Sequence, residues 1–284
     1  MNAPFPPQVT RIVDMALDED LANGDVTCRL TIPDGHISKG EAIAKQSMVL
    51  SGEDVFAWVM KRVDPAIEVV RHIESGGQIS PREVLITVEG PTQSLLMAER
   101  VALNFLQRLS GVATLTRDYV NALPEKSKCR ITDTRKTSPG MRYLERRAVV
   151  HGGGINHRAD LGGGVLIKEN HIAAAGSIAA AVKRCLSGAP HPLRVEVEVE
   201  TLDELKEALA AGADAVLLDN MSISTLIEAV ELAKGKAILE ASGGVSLDTV
   251  GEIGKTGVDV ISVGALTHSY PAADISFLIE GTTK

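Results

Sequence analysis

The chain has 284 residues, a formal net charge of −8 and a hydrophobic fraction of 44%, enough to bury one barrel-sized domain or two smaller ones. Aromatic residues make up only 3%, so a stacking platform for single-stranded nucleic acid is excluded, and the acidic balance opposes a phosphate backbone. Cys28, Cys129 and Cys185 are scattered with no C-x-x-C pair, the first residues lack the features of a signal peptide, and no apolar run reaches membrane length; the expectation is a reduced, cytoplasmic protein with neither nucleic-acid nor membrane partners.

Taken in order, a Pro-rich start that reads as mobile leads into residues 9–21. There Val9, Ile12, Val13, Ala16 and Leu17 recur at helical spacing, and Asn23-Gly24-Asp25 ends the helix. The period then changes. Residues 41–45, 47–51, 67–73 and 84–88 read as strands, with a short helix from Gly52 to about Arg62 between them. Strands in succession with few helices predict an α+β layer up to about residue 110. Residues 94–109 form an amphipathic helix whose apolar face includes Leu95, Ala98, Val101, Ala102, Phe105 and Leu109, and Ser110-Gly111 separates it from a second helix reaching residue 123.

From Arg130 strands and helices alternate. The strands are 131–134, 165–168, 194–200, 215–219, 237–241 and 260–263, and the helices are 141–150, 177–186, 202–211, 224–233 and 247–255. Six such strands predict a parallel α/β barrel or an open doubly wound sheet.

Against the acidic background, the stretch between Arg135 and Lys168 carries seven basic residues (Arg135, Lys136, Arg142, Arg146, Arg147, Arg158, Lys168) opposed only by Glu145 and Asp160. It also holds two Gly triplets, 152–154 and 162–164. Cations beside permissive backbone point to a small, strongly anionic ligand. Arg146 and Arg147 read more simply as a solvated helix face. A metal site built from His151, His157 and His171 is opposed by the neighbouring cations, and Cys129 and Cys185 read as packing residues.

Polar residues cluster at the carboxyl ends of the strands, where parallel barrels place their chemistry. Thr134-Arg135-Lys136, Lys168-Glu169-Asn170-His171, Asp219-Asn220, Ser242-Gly243-Gly244 and Gly264 occupy five such ends. The third strand alternates valine and glutamate, so Glu196, Glu198 and Glu200 share one face, expected to point into the barrel. With Asp219 they offer carboxylates for Mg²⁺ or for sugar hydroxyls. The Ser242–Gly244 turn before a helix provides backbone N–H groups for an anion. Lys168 at a strand end also leaves open a Schiff-base lyase, and a non-catalytic binding protein for the anionic ligand is a further reading.

These segments carry a family resemblance. Glu99-Arg100-Val101-Ala102-Leu103-Asn104, Asp133-Thr134-Arg135-Lys136-Thr137, Gly152-Gly153-Gly154 through Asn156-His157-Arg158, Ile167-Lys168-Glu169-Asn170-His171, residues 195–200, Leu218-Asp219-Asn220, Glu240-Ala241-Ser242-Gly243-Gly244 and Ile261-Ser262-Val263-Gly264 together resemble the quinolinate phosphoribosyltransferases over nearly the whole chain. The resemblance implies an N-terminal α/β sandwich domain (1–112), an incomplete parallel α/β barrel (113–268) and a tail (269–284) that returns to the first domain. It implies phosphoribosyl transfer from phosphoribosyl pyrophosphate to quinolinate with loss of carbon dioxide, in NAD biosynthesis, with Mg²⁺ as cofactor. It implies a homodimer in which Arg100 reaches the partner's site.

On that reading Arg135, His157, Arg158, Lys168 and the partner's Arg100 meet the dicarboxylate, with Thr134 beside them. Lys136 faces pyrophosphate or shares both ligands. Glu198 and Asp219 hold the ribose hydroxyls and the metal. Ser242, Gly243, Gly244 and Gly264 bind the 5′-phosphate, and the direct catalytic roles fall to Lys136, Lys168, Glu198 and Asp219. A related phosphoribosyltransferase acting on nicotinate is the nearest alternative.

Overall fold

The computed structural model describes residues 5–280. Residues 1–4 of the Pro-rich start and 281–284 of the C-terminal tail lie outside the described residues. Contacts divide the chain into two compact units. The first comprises the chain up to Arg117, Thr137–Gly153, and the segment from Ser269 onward. The second comprises Asp118–Lys136 and Gly154–His268.

The first unit opens with helix α1 (Pro7–Leu21), which has proline in its first turn and buries Val9, Val13 and Leu17 at four-residue spacing. A short helix α2 (Val26–Thr31) follows, capped by Asp25. Then come β1 (Ile37–Ala44), β2 (Met48–Val49), α3 (Glu53–Val63), β3 (Glu68–Arg71), β4 (Gln78–Ile79), β5 (Val84–Pro91) and α4 (Thr92–Asn121). Helix α3 starts from Gly52 at φ 95°, has Glu53 and Asp54 in its first turn and Lys61 and Arg62 in its last, and so matches the helix dipole at both ends. Strands β1, β5 and β3 belong to a four-stranded antiparallel sheet, whose outer strand is β12 (Ile275–Ile279), paired to β1 from Gly40↔Ile279 to Ala44↔Ile275. The core between sheet and helices contains Phe56, Met60, Ile67, Leu85, Ile86, Leu95, Leu103 and Leu106, all fully buried.

Ser110-Gly111 does not break the chain into two helices. Helix α4 runs unbroken for 30 residues. The glycine serves packing instead: a β-carbon at 111 would collide with the Pro271 carbonyl oxygen, so this position admits the C-terminal segment against the helix. Helix α5 (Arg142–His151) lies within the stretch read from sequence as barrel, yet it groups with the first unit. Its Leu144, Ala148 and Val149 are buried, and Arg147 pairs with Asp54 at 2.6 Å while lying over the Phe5 and Tyr143 rings.

The second unit contains β6 (Arg130–Thr132), β7 (Val165–Ile167), α6 (Glu169–Ala175), α7 (Ile178–Gly188), β8 (Val195–Val199), α8 (Leu202–Ala211), β9 (Ala215–Asp219), α9 (Ile223–Ala233), β10 (Ile238–Ser242), α10 (Leu247–Lys255), β11 (Val260–Ser262) and α11 (Ala265–His268). The six strands pair in the order β6-β11-β10-β9-β8-β7, and all pairs in this sheet are parallel. The last strand of the series therefore lies beside the first, which closes the sheet toward a barrel rather than an open doubly wound layer. Closure stops between β6 and β7, where a single bridge joins Thr132 to Ile155. The helices are set by local signals: Thr201 and Glu204 form a capping box at α8, and Gly212 ends that helix at φ 89°. Strand β9 is buried at four consecutive positions, as a central parallel strand covered on both faces should be.

Candidate active site

Alternation along each barrel strand sends every second side chain inward. At the carboxyl ends those positions are Leu166 and Lys168 after β7, Glu198 on β8, Leu217 and Asp219 on β9, Glu240 and Ser242 on β10, and Ser262 on β11. All of them line one cavity of about 490 Å³ together with Thr134, Arg135, Lys136, His157, Arg158, Asn220, Gly243 and Gly244. Of the thirteen residues expected from sequence, eleven meet there. Arg100 does not: it lies on α4 of the first unit, exposed and 3.8 Å from Glu99. Gly264 does not line the cavity either, but a β-carbon on it would come within 3.2 Å of the Lys136 side chain, so its bareness gives that lysine room.

The basic cluster divides. Arg142, Arg146 and Arg147 belong to α5 in the first unit, whereas Arg135, Lys136, Arg158 and Lys168 line the cavity. Arg158 is placed by the second Gly triplet, donating through Nη1 to the Gly164 carbonyl at 3.0 Å. A β-carbon on Gly164 would press on the Arg158 side chain at 3.4 Å. Burial, and then the nearby charge of Arg135, oppose the Arg158 cation, and its buried Nε has no hydrogen-bond partner. Two guanidiniums held close together with a donor unsatisfied are suited to an anion. The first triplet does packing work, since a β-carbon on Gly152 would meet the Ala113 carbonyl oxygen at 2.5 Å.

Carboxylates share the cavity with these cations. Lys168 forms a close ion pair with Glu198, so its amine is already engaged by a neighbouring strand. Asp219 accepts from Asn220 Nδ2 at 2.7 Å, and Asn220 sits at φ 53° with its backbone N–H on the Ser242 carbonyl. Glu198 and Asp219 thus present hard oxygen donors to one cavity, a set that suits Mg²⁺ completing its shell from substrate oxygens. The Ser242–Gly244 turn has Gly243 at φ 93° and Gly244 at φ 60°, and a β-carbon on Gly243 would collide with the Asn220 side chain.

One expectation needs correction. Glu200 is not an inward residue: β8 ends at Val199, and the Glu200 backbone N–H instead bonds Glu204 in the α8 cap. His157 lines the cavity as expected, and its ring is also engaged by its neighbours. Its Nδ1 accepts the Arg158 backbone N–H at 2.8 Å, while Nε2 lies 3.1 Å from Glu196 Oε2 and 3.5 Å from Glu240 Oε2. Glu196 pulls the imidazole toward protonation, but a second proton would have to sit on Nδ1, where an N–H already points. The neutral Nε2–H tautomer, assigned from this network, satisfies both contacts. His171 is likewise occupied, its Nδ1 accepting the Lys168 N–H at the start of α6.

The sequence reading gave no role to Glu240, which is 5% exposed. Among the described residues His157, Glu196 and Glu240 are the group whose donor atoms converge closely enough for a metal ion. Burial, and then the charge of Glu196, push the Glu240 carboxyl up to about 7. Its signal was available: Glu240 precedes Ser242 by two residues on the same strand and shares its inward face.

The geometry defines a cavity at the carboxyl ends of an α/β barrel, lined by the cations Arg135, Lys136, Arg158 and Lys168 and by the carboxylates Glu198 and Asp219. Comparison with known proteins gives the family. Residues 25–110 match the quinolinate phosphoribosyl transferase N-terminal domain and residues 112–278 its C-terminal domain, and the chain belongs to this family. It is 40% identical over 269 residues to the probable nicotinate-nucleotide pyrophosphorylase [carboxylating] of Bacillus subtilis (strain 168), covering 95% of this chain and 92% of that one. The nicotinate-nucleotide pyrophosphorylase structure from Francisella tularensis superposes with a TM-score of 0.93 at 40% identity, covering 97% and 98% of the two chains. The Pyrococcus furiosus nicotinate-nucleotide pyrophosphorylase, at 18% identity and TM-score 0.73 over 100% of this chain and 79% of that one, shares the fold.

Glu240 is a raised acid, so the folded state retains a proton that the unfolded state has lost between about pH 4.5 and 7. Stability contributed by this group is present below that window and lost as pH rises through it. Glu240→Gln removes the titration. Urea unfolding of the two proteins at several pH values should show wild type losing stability relative to the variant as pH rises from about 5 to 7. A difference independent of pH would contradict the buried neutral acid.

Proposed function

We infer that this chain transfers phosphoribosyl from phosphoribosyl pyrophosphate to quinolinate with decarboxylation, giving nicotinate mononucleotide, pyrophosphate and carbon dioxide, in NAD biosynthesis. One observation carries the reading: the cavity that gathers Arg135, Lys136, Arg158 and Lys168 also holds Glu198, Asp219 and the Ser242–Gly244 turn. A pyridine with two adjacent carboxylates needs several cations, and Arg135, Arg158 and Lys168 supply them. Thr134, whose Oγ1 accepts the Lys136 N–H at 3.0 Å, shapes the turn that aims both basic side chains. Ser242 and the Gly243-Gly244 backbone suit the 5′-phosphate, because left-handed glycines let N–H groups converge on an anion.

Glu198 and Asp219 would take the ribose hydroxyls and hold Mg²⁺, and the metal when bound supplies positive charge to the departing pyrophosphate. Lys136 assists on the same side. As the bond to pyrophosphate breaks, positive charge grows on the ribose ring, and the fixed carboxylates stabilise it. The ring nitrogen then attacks, and the resulting pyridinium eases loss of the adjacent carboxylate. His157 shapes the floor of the cavity rather than gripping substrate. Positioning and electrostatics account for the chemistry without a covalent enzyme intermediate.

The working unit on this reading is a homodimer in which Arg100 of each subunit completes the site of its partner. Exposure of Arg100 on α4, where its side-chain contact is with the neighbouring Glu99 at 3.8 Å, supports it. No described helix is long and apolar enough to cross a membrane, and three free cysteines, one with its thiol pushed up to about 12 by burial (Cys129), suit a reducing cytoplasm.

Carbon dioxide release from carboxyl-labelled quinolinate should require phosphoribosyl pyrophosphate, stop with a chelator and return with Mg²⁺. Turnover of nicotinate in its place, with quinolinate inert, would assign the chain to the alternative substrate. For the shared site, Arg100→Ala and Arg158→Ala subunits, each inactive alone, should regain about a quarter to a half of wild-type activity when mixed, since a mixed dimer carries one intact site. No recovery in confirmed mixed dimers would contradict the partner role of Arg100.

A further inference from the structure

The barrel interior holds a second cavity of about 370 Å³, one layer below the first. It is lined by the inward positions near the amino ends of the same strands, among them Arg194, Ala215, Ile238 and Val260. His157, Arg158 and Glu240 line both cavities. The His157–Glu196–Glu240 cluster is thus the partition between the substrate cavity and a separate opening at the other end of the barrel.

Glu240 stands in that partition with one oxygen, Oε1, buried and without a hydrogen-bond partner. An ionised carboxylate oxygen in that position would be costly, whereas a neutral acid is not. The groups facing it leave it the proton. Glu196 on β8 holds the His157 Nε2–H, and Asp133, fully buried after β6, accepts the His157 backbone N–H at 2.8 Å. Ser262 on β11 hydrogen-bonds the Glu240 carboxyl, and Glu196 and Asp133 both oppose its ionisation. Leu217 on β9 is apolar, and Arg158 faces His157. Carboxylates sharing so small a space separate their protonation states, and Glu240, the one with the orphaned oxygen, is the acid.

We propose that Glu240 donates the proton that replaces the carboxylate lost from the pyridine ring, and is recharged through the lower cavity. The inference rests on the reaction given above. Once the ribosyl group is on the ring nitrogen, the bond from C2 to its carboxylate breaks and in the same step its electron pair takes the Glu240 proton: carbon dioxide leaves, a C2–H bond forms, and Glu240 is left as carboxylate. A solvent proton arriving through the lower cavity restores the acid, so one proton is consumed per turnover. The His157 imidazole, with Nδ1 occupied by the Arg158 N–H, is not a relay; it is a positioning residue that holds Glu196 in place.

The test is a single-turnover experiment on the dimer with Mg²⁺, following pyrophosphate and labelled carbon dioxide together. Wild type should release the two in step. Glu240→Gln keeps the shape but has no proton to give, and carbon dioxide should lag pyrophosphate by about a hundredfold, the usual scale of general acid catalysis. Glu240→Asp should recover part of the loss. A role in shape alone would slow both products together, and that result, like unchanged rates, overturns the proposal. Should the glutamine variant fail to fold, wild type in heavy water decides: carbon dioxide release slows while pyrophosphate release does not, and equal carbon dioxide rates in the two solvents overturn it. If wild type makes no carbon dioxide from quinolinate, the reaction assignment falls as well; if it does and the variant stays in step, the proton donor alone falls.

Discussion

Charge turned into the interior of a barrel has to be matched, and this requirement organises the second unit. Inward positions that a purely structural barrel would fill with branched apolar side chains here carry Lys168, Glu196, Glu198, Asp219 and Glu240. Each is met by a named neighbour: Lys168 by Glu198, Glu196 by His157, Asp219 by Asn220. The residual mismatch among these charged groups, a buried guanidinium Nε on Arg158 and a buried oxygen on Glu240, falls inside the site. A sequence that accepts this cost gains a cavity in which both signs of charge are fixed, which is what joining a dicarboxylate to a phosphoribosyl donor demands.

Glycine is the means by which that arrangement is packed. Gly164 gives Arg158 both a carbonyl to bond and the room to lie down, and Gly264 clears space for Lys136. Gly243 and Gly244 turn the chain at the end of β10 through left-handed conformations that bring backbone, not side chains, toward the ligand. In the first unit Gly111 and Gly152 admit close backbone contacts against α4. None of these roles can be read from a Gly count, since each depends on what the fold brings opposite.

Much of the rest was legible. The strand–helix alternation after Arg130 and the polar strand ends located the cavity, because period-two and period-3.6 patterns report burial directly. Three misreadings have physical reasons. Ser110-Gly111 resembles a helix stop, but a glycine within a long helix also serves close packing. Helix α5 follows the first barrel strand in sequence, yet its apolar face and Arg147 are satisfied in the first unit. Glu200 continues the valine–glutamate alternation on paper, whereas the α8 capping box ends the strand before it.

The central claim is that the cationic wall receives the pyridine dicarboxylate. A crystal structure of the protein with quinolinate tests it most directly. The account predicts both carboxylates against Arg135, Arg158 and Lys168, with the ring nitrogen directed toward the Glu198 and Asp219 wall. Quinolinate seated instead on the Ser242–Gly244 turn, or outside this cavity, would contradict it.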